Sequence, residues 1–434
     1  MNNVSTGERL KIRKESSSWI ADNIVTLIFV VFTIFGFLVS DGVTMNYFLT
    51  ELSSRFFRNA FLVLSLIIPV VAGLGLNFGI VVGAMAGQIA IAIVRYFELG
   101  GVSGLMLTFL LAFPIASLLG YFTGVLYNKT RGQEMIASLI VGYFANGIYQ
   151  FLFLFVVGVI IKVPATHPMI KPDGVGIRMT VDLVPVADGG LKYALDNILQ
   201  IPFMWAVLII AVAVLLLQIL RLVKNKNNAA FNKNNKTMTI INAVICLIFL
   251  AISVQAIATD SSLMKVRNVP VITGLLIIAL CIFSEKILKT KLGQDFRSVG
   301  QSQHIADVSG INVDRTRIIA TMMSTVLAAW GQIMYLQNMG TLNTYGAHTQ
   351  IGMFSVACLL VGGASTQKAN IRHALIGTLL FNSMFIMSPE IGQSLFGNAL
   401  LGEYFRTFMV YGVIGMALGL HVWRSNKKGK ITLD

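Results

Sequence analysis

A dozen apolar runs dominate this sequence, and they decide what the chain can fold into. A membrane-spanning helix needs about 20 mainly apolar residues, because its backbone groups find no water in the bilayer core. By that measure candidate spans lie at 21–40, 58–76, 79–97, 103–127, 135–162, 200–223, 238–258, 269–286, 317–338, 350–363, 372–388 and 404–424. Charged residues make up 12% of the chain, about half the share of a soluble domain. The expectation is an all-α, polytopic transmembrane helical bundle of about 10–12 spans, formed as one transmembrane domain over residues 1–434. The third run follows the second with almost no loop, and the tenth is short. Both read as glycine-rich broken or re-entrant helices, which are tolerated only where protein or a water-filled cavity surrounds them. The first run follows basic residues, as a signal peptide does, but it is long for a signal core and reads as a span.

The net charge of +14 sits in short loops between the runs. With the N-terminus in the cytoplasm and sides alternating, 23 of the 33 Lys and Arg fall on the cytoplasmic side, as the positive-inside bias requires. Both termini are then cytoplasmic. No basic face or nucleic-acid reader motif accompanies the charge, so nucleic acid is not an expected partner. Cys246, Cys281 and Cys358 lie inside apolar runs, with neither disulfide nor metal-site spacing.

No phosphate-binding GxxxxGK[ST] loop, HExxH or GxSxG occurs, so no cofactor and no catalytic residue is expected. The predicted spans hold almost no ionisable residue near their centres, where proton- or sodium-coupled carriers usually need one. Uphill transport by this chain would draw its energy from another subunit. The rival reading is an ion-coupled secondary transporter or facilitator acting without an ATPase. The scarcity of intramembrane charge argues against coupling but not against facilitation.

Three hydrophilic stretches interrupt the runs. Residues 163–199 form the longest outer loop, rich in Pro and Gly, placed to fold over the outer mouth. Residues 224–237 read as a flexible, basic cytoplasmic linker. In 287–316, residues 301–309 suit a short amphipathic helix bracketed by Gly300 and Gly310, with Ile305 and Val308 on one face. Small Ala306 and Ser309 would let a partner approach closely. A free helix this short is marginal in water and gains stability by docking; the alternative is a solvated connecting loop.

Uncharged polar and aromatic residues within the runs are the candidate pathway: Asn77, Gln88, Tyr143, Asn146, Gln150, Trp330, Gln332 and Asn382. Tyr143, Asn146 and Gln150 share one helix face. Interhelical hydrogen bonding is the competing role for each of them.

The segment from Gly293 to Val313, reading G-x-D-x-R-x-V-G-x-x-x-x-x-A-x-x-S-G-I-N-V, resembles the cytoplasmic coupling loop of ABC permeases of the ribose, nucleoside and branched-chain amino-acid importer superfamily. Gly73 to Gln88 resembles its glycine-rich junction between the second and third spans, and Leu360 to Ser365 followed by His373 to Thr378 its second glycine-rich turn. The Asn77-x-Gly79-Ile80-x-x-Gly83 spacing and Gly132 to Ile136 are most similar to nucleoside-type members. The chain departs from the pattern at Ser302-Gln303, where Asn-Pro is common, at Ile305, and after Ser365; the segment 224–258 looks like added material. The resemblance implies an importer's membrane subunit in the bacterial inner membrane. It implies an ATPase subunit that binds ATP and docks on Gly300, Ile305, Ala306, Val308, Ser309 and Gly310. It also implies a second permease, identical or paralogous, and a periplasmic or lipoprotein solute-binding protein. A nucleoside, a riboflavin-like compound or a simple sugar would pass along the candidate pathway, hydrogen-bonding the amides and stacking on Trp330 or Tyr143.

Overall fold

A computed structural model describes residues 24–40, 42–164, 166–184, 190–224, 233–259 and 261–431. The start of the first predicted span and residues 225–232 of the predicted linker lie outside the described residues. The chain is helical nearly throughout, in chain order α1 (Ile24–Val39), α2 (Met45–Leu64), α3 (Ile67–Val71), α4 (Ile80–Tyr96), α5 (Gly101–Lys129), α6 (Glu134–Phe151, continued by a looser helical stretch Leu152–Ile160), α7 (Phe203–Lys224), α8 (Lys233–Ala258), α9 (Val271–Ile287), α10 (Lys291–Gln301), α11 (Gln303–Val308), α12 (Val313–Met339), α13 (Ile351–Val361), α14 (Ile371–Phe396) and α15 (Ala399–Ile431). Six of these, taking α2 and α3 together, are long and apolar enough to cross a bilayer among the described residues. The protein is an all-α polytopic membrane bundle. Four short strands, β1 (Thr180–Asp182), β2 (Gln200–Ile201), β3 (Val269–Pro270) and β4 (Thr341–Asn343), pair antiparallel as β1 with β4 and β2 with β3.

Helix α12 is the centre of the bundle, packed on α2, α4 and α5. Its ends are written in the sequence. The Asn312 side chain accepts from the Arg315 N–H at 2.9 Å, satisfying one orphan donor of the first turn. Gly340 at φ +76° closes the other end, its N–H on Leu336 O, in the left-handed conformation glycine adopts without strain. Small residues let the neighbours approach to backbone contact. A Cβ on Gly87 would lie 2.6 Å from Ala329 O, and one on Gly120 2.9 Å from Met322 Cα.

Two expectations change here. The second span begins at Met45 instead of residue 58, which draws Arg55 out of the predicted outer loop and places Arg58, expected at the span's edge, well inside α2. Arg317, expected among the solvated cytoplasmic cations, is buried in the first turns of α12. Its Nη2 lies 2.6 Å from Glu134 Oε1 and 3.1 Å from Tyr127 O. Hydropathy misplaces both because it scores a charge without knowing its partner.

The described residues of 163–199 pack on one end of the bundle. Ile170, Ile177, Val181, Leu183, Leu191 and Leu195 are buried against α4, α5 and α12. Asp196, buried in this cap, accepts from Gln337 Nε2 at 2.9 Å, Asn338 Nδ2 at 2.8 Å and the Thr273 hydroxyl. Three donors replace the water that an interior carboxylate loses.

Candidate transport pathway and coupling segment

Helix α9 turns into α10 through 73°. Then Ser302, extended at φ −159°, caps α11 by accepting from the Ile305 N–H at 3.3 Å. The predicted helix over 301–309 is therefore narrower, Gln303–Val308, and Gly300 belongs to the helix before it. Gly300 meets the turn after α3. A Cβ on Gly73, itself at φ +76°, would stand 2.7 Å from Gly300 Cα. Ala306 turns inward between Val299 and Val313, so its small side chain serves the segment's own packing and is not open to a partner. Ser309 Oγ donates to Ile305 O at 2.7 Å, and Gly310 ends the turn at φ +81°. Ile305 and Val308 remain 66% and 77% exposed. Two large apolar side chains thus project from a polar loop.

The predicted pathway residues divide into separate environments. Gln88, Asn146 and Gln150 are joined through a residue sequence reasoning missed, His348. Its Nδ1 lies 2.9 Å from Gln88 Oε1 and its Nε2 2.8 Å from Asn146 Oδ1, and Gln150 Nε2 lies 3.4 Å from the same Asn146 oxygen. Tyr149 meets the imidazole edge-on, with ring centroids 4.7 Å apart. Tyr143, largely exposed, lines a cavity of about 60 Å3 with Asn146 and His348. Gln332 donates to Ala347 O at 3.5 Å, in the same turn before α13. Asn77 stands apart: its Oδ1 accepts from the Tyr127 hydroxyl and the Gly79 N–H, both at 2.9 Å, and so holds the turn that starts α4. Trp330 is also apart. Its indole donates to Phe109 O at 3.2 Å, and the 640 Å3 cavity beside it is walled by Phe61, Met106, Phe113, Leu276 and other apolar side chains. No amide of the predicted pathway lines that space.

Asn382 lies on the other side of the 346–351 turn, in a cavity of about 390 Å3 between α2, α12, α13 and α14. Its Oδ1 accepts from Asn59 Nδ2 at 3.1 Å and its amide donates to Thr378 O at 2.7 Å. Tyr335, Phe354, Phe381 and Phe385 supply aromatic walls; Thr349, Gln350 and Ser355 add polar groups; Arg55 and Arg58 complete the rim. This volume and mixture are those of small-molecule sites. The half-length helix α13, 11 residues long, is non-spanning backbone beside a cavity, the one setting in which a bilayer tolerates it. The signal for His348 and the arginines was weak, because His348 and Arg55 fall outside the apolar runs and Arg58 stands at the edge of one.

The family model described as "Branched-chain amino acid transport system / permease component" matches residues 182–418, which run from the end of β1 through the coupling segment and three of the four cavity helices, α12, α13 and α14, into α15. The chain belongs to this permease family. Among curated proteins the permease is similar to a probable ABC transporter permease protein, YphD of Escherichia coli (strain K12), at 34% identity over 26% of this chain and 33% of that protein. It is similar to two nucleoside ABC transporter permease proteins of Lactococcus lactis subsp. cremoris (strain MG1363), NupB at 31% identity over 25% of this chain and 28% of that one, and NupC at 30% over 27% and 37%. The permease thus matches about a third of the length of these relatives. No solved structure matches it. As a member of the family it is a multi-pass membrane subunit of the ABC permease class.

Proposed function

We propose that this permease is the membrane subunit of a bacterial ABC importer for a small polar solute, a nucleoside, a riboflavin-like compound or a simple sugar. A separate ATPase subunit binds ATP and docks on α11. A second permease completes the pathway, and a periplasmic or lipoprotein solute-binding protein delivers solute to the capped end. The α10–α11 end then faces the cytoplasm, as do both termini. The observation that carries this reading is the exposure of Ile305 and Val308 on a capped helix of six residues. A helix that short does not hold its shape for its own sake, and apolar side chains raised out of a polar loop suit a protein partner. The aromatic and amide lining of the 390 Å3 cavity favours a flat heterocycle that both stacks and hydrogen-bonds. Among the three solute classes it therefore favours the nucleoside and riboflavin-like compounds.

The test is capture of the tagged permease from native membranes in mild detergent, with ATPase activity read on the eluate. The wild type should bring down an ATPase subunit. Ile305→Asp/Val308→Asp should lose it while keeping an unchanged elution volume, since neither side chain contributes to the buried core. Substitution at Gly300 or Ala306 is a poor probe, because both are packed inside the segment. If no ATPase accompanies the wild type and the purified chain alone carries solute into liposomes, the chain acts as a facilitator and the importer reading is wrong.

A further inference from the structure

Arg58 is an unusual wall for a solute cavity inside a membrane protein. It sits in α2 facing the last turns of α12, with its guanidinium over the Tyr335 ring at 5.3 Å from the centroid. Its neighbour Arg55 is paired with Glu51 at 3.2 Å, but among the described residues no carboxylate lies within ion-pair distance of Arg58. Its Nη1 reaches the Met339 thioether at 2.7 Å, a weak acceptor, and its Nε is shielded from solvent with no partner. Of the amides in the same cavity, Asn59 is held by Asn382 and Asn382 by Thr378, while Gln350 stands at the exposed edge. A charged fork of donors without a strong acceptor is thus the principal unsatisfied group that the cavity offers. Charges within spans cost enough that they mark function.

A guanidinium satisfies two N–H groups best on two adjacent acceptors in one plane. On a nucleoside, the 6-oxopurine ring presents such a pair, O6 and N7. Adenine replaces O6 with an amino donor, which meets the cation donor to donor. We propose that Arg58 is a specificity-determining residue of this permease, selecting 6-oxopurine nucleosides over adenosine by holding the O6/N7 edge while the ring lies among Tyr335, Phe354 and Phe385. This rests on the nucleoside reading of the same cavity.

The test is direct binding of radiolabelled inosine, guanosine, adenosine and inosine 5′-monophosphate to the full-length permease in nanodiscs. The wild type should bind inosine and guanosine about tenfold more tightly than adenosine, the discrimination of one good bidentate pair. Arg58→Lys, which keeps the charge without the fork, and Arg58→Met should bring inosine and adenosine to within about threefold of each other. Equal binding of adenosine by the wild type overturns the proposal, and so does a preference that survives in both folded variants. Tighter binding of the monophosphate that depends on Arg58 overturns it in favour of phosphate recognition. If none of the four binds, the solute class is wrong and this inference falls with it. ATPase capture through α11 still decides the importer reading separately.

Discussion

At the scale of single residues, the energetic weight lies in polar groups that the bundle encloses. Arg317 is fully buried, and its partner Glu134 nearly so. Removing one partner of a buried ion pair leaves the other charge without compensation, at about 3–5 kcal/mol. Glu134→Ala should therefore lower the stability of the detergent-solubilised permease by about 3 kcal/mol, read as a fall in the denaturation midpoint. The double substitution Glu134→Leu/Arg317→Met should recover most of that loss; a double variant no more stable than Glu134→Ala would mean that the pair is not the source. Asp196 follows similar logic without a cation. Asp196→Ala strands the donors of Gln337, Asn338 and Thr273, each worth about 1–3 kcal/mol when left unpaired in the interior. The expected result is early loss of the cap, seen as faster proteolysis within 163–199 before the bundle unfolds.

At the scale of elements, glycine decides which helices touch. Gly362, at the end of α13, and Gly377 in α14 let the two backbones meet so closely that a Cβ on either would overlap a carbonyl of the other helix. Gly377→Val should abolish folded protein, measured as monodisperse yield after extraction. Gly412, on the exposed side of α15 with open space around it, should accept Val with little loss. Equal yields from the two would remove the packing argument. The same closeness ties the coupling segment to the pathway, since α10 rests through Gly300 on the Gly73 turn. That turn leads through Asn77 into α4 and on to Gln88 and His348. A push on α11 thus has a contiguous route of packed backbone toward the turn before α13. A double-mutant cycle between Gly73 and His348 would measure the coupling along this route.

At the scale of the whole molecule, the bundle is unevenly joined. Helices α7 and α8 pack chiefly on each other, while the chain entering α7 and the chain leaving α8 are brought together by the β2–β3 pair, Gln200 opposite Pro270 and Ile201 opposite Val269. Because the chain enters and leaves this hairpin at one place, replacing 203–267 by a short Gly-Ser linker should leave a folded permease with the remaining helices in register. Loss of monodisperse protein from that deletion would show that the hairpin is integral to the bundle. Much of this architecture was legible in the sequence. The apolar runs, the caps and the Gly residues depend on local chemistry, and local chemistry determined the helical class and the short tenth run; of the dozen predicted runs, six helices among the described residues are long and apolar enough to cross a bilayer. The family resemblance likewise rests on contiguous motifs. Only the tertiary structure decided which polar groups meet. Asn77 and Gln88 are both buried amides of one segment, yet Asn77 holds the turn before α4 while Gln88, within α4, reaches His348. Trp330 was expected among the amides and lies beside an apolar cavity; Arg58 was expected at the edge of a span and lines a polar cavity. A side chain's solvent, partner and exposure are set by residues hundreds of positions away, and no local pattern encodes a contact between Arg58 and Met339 or between His348 and Gln88.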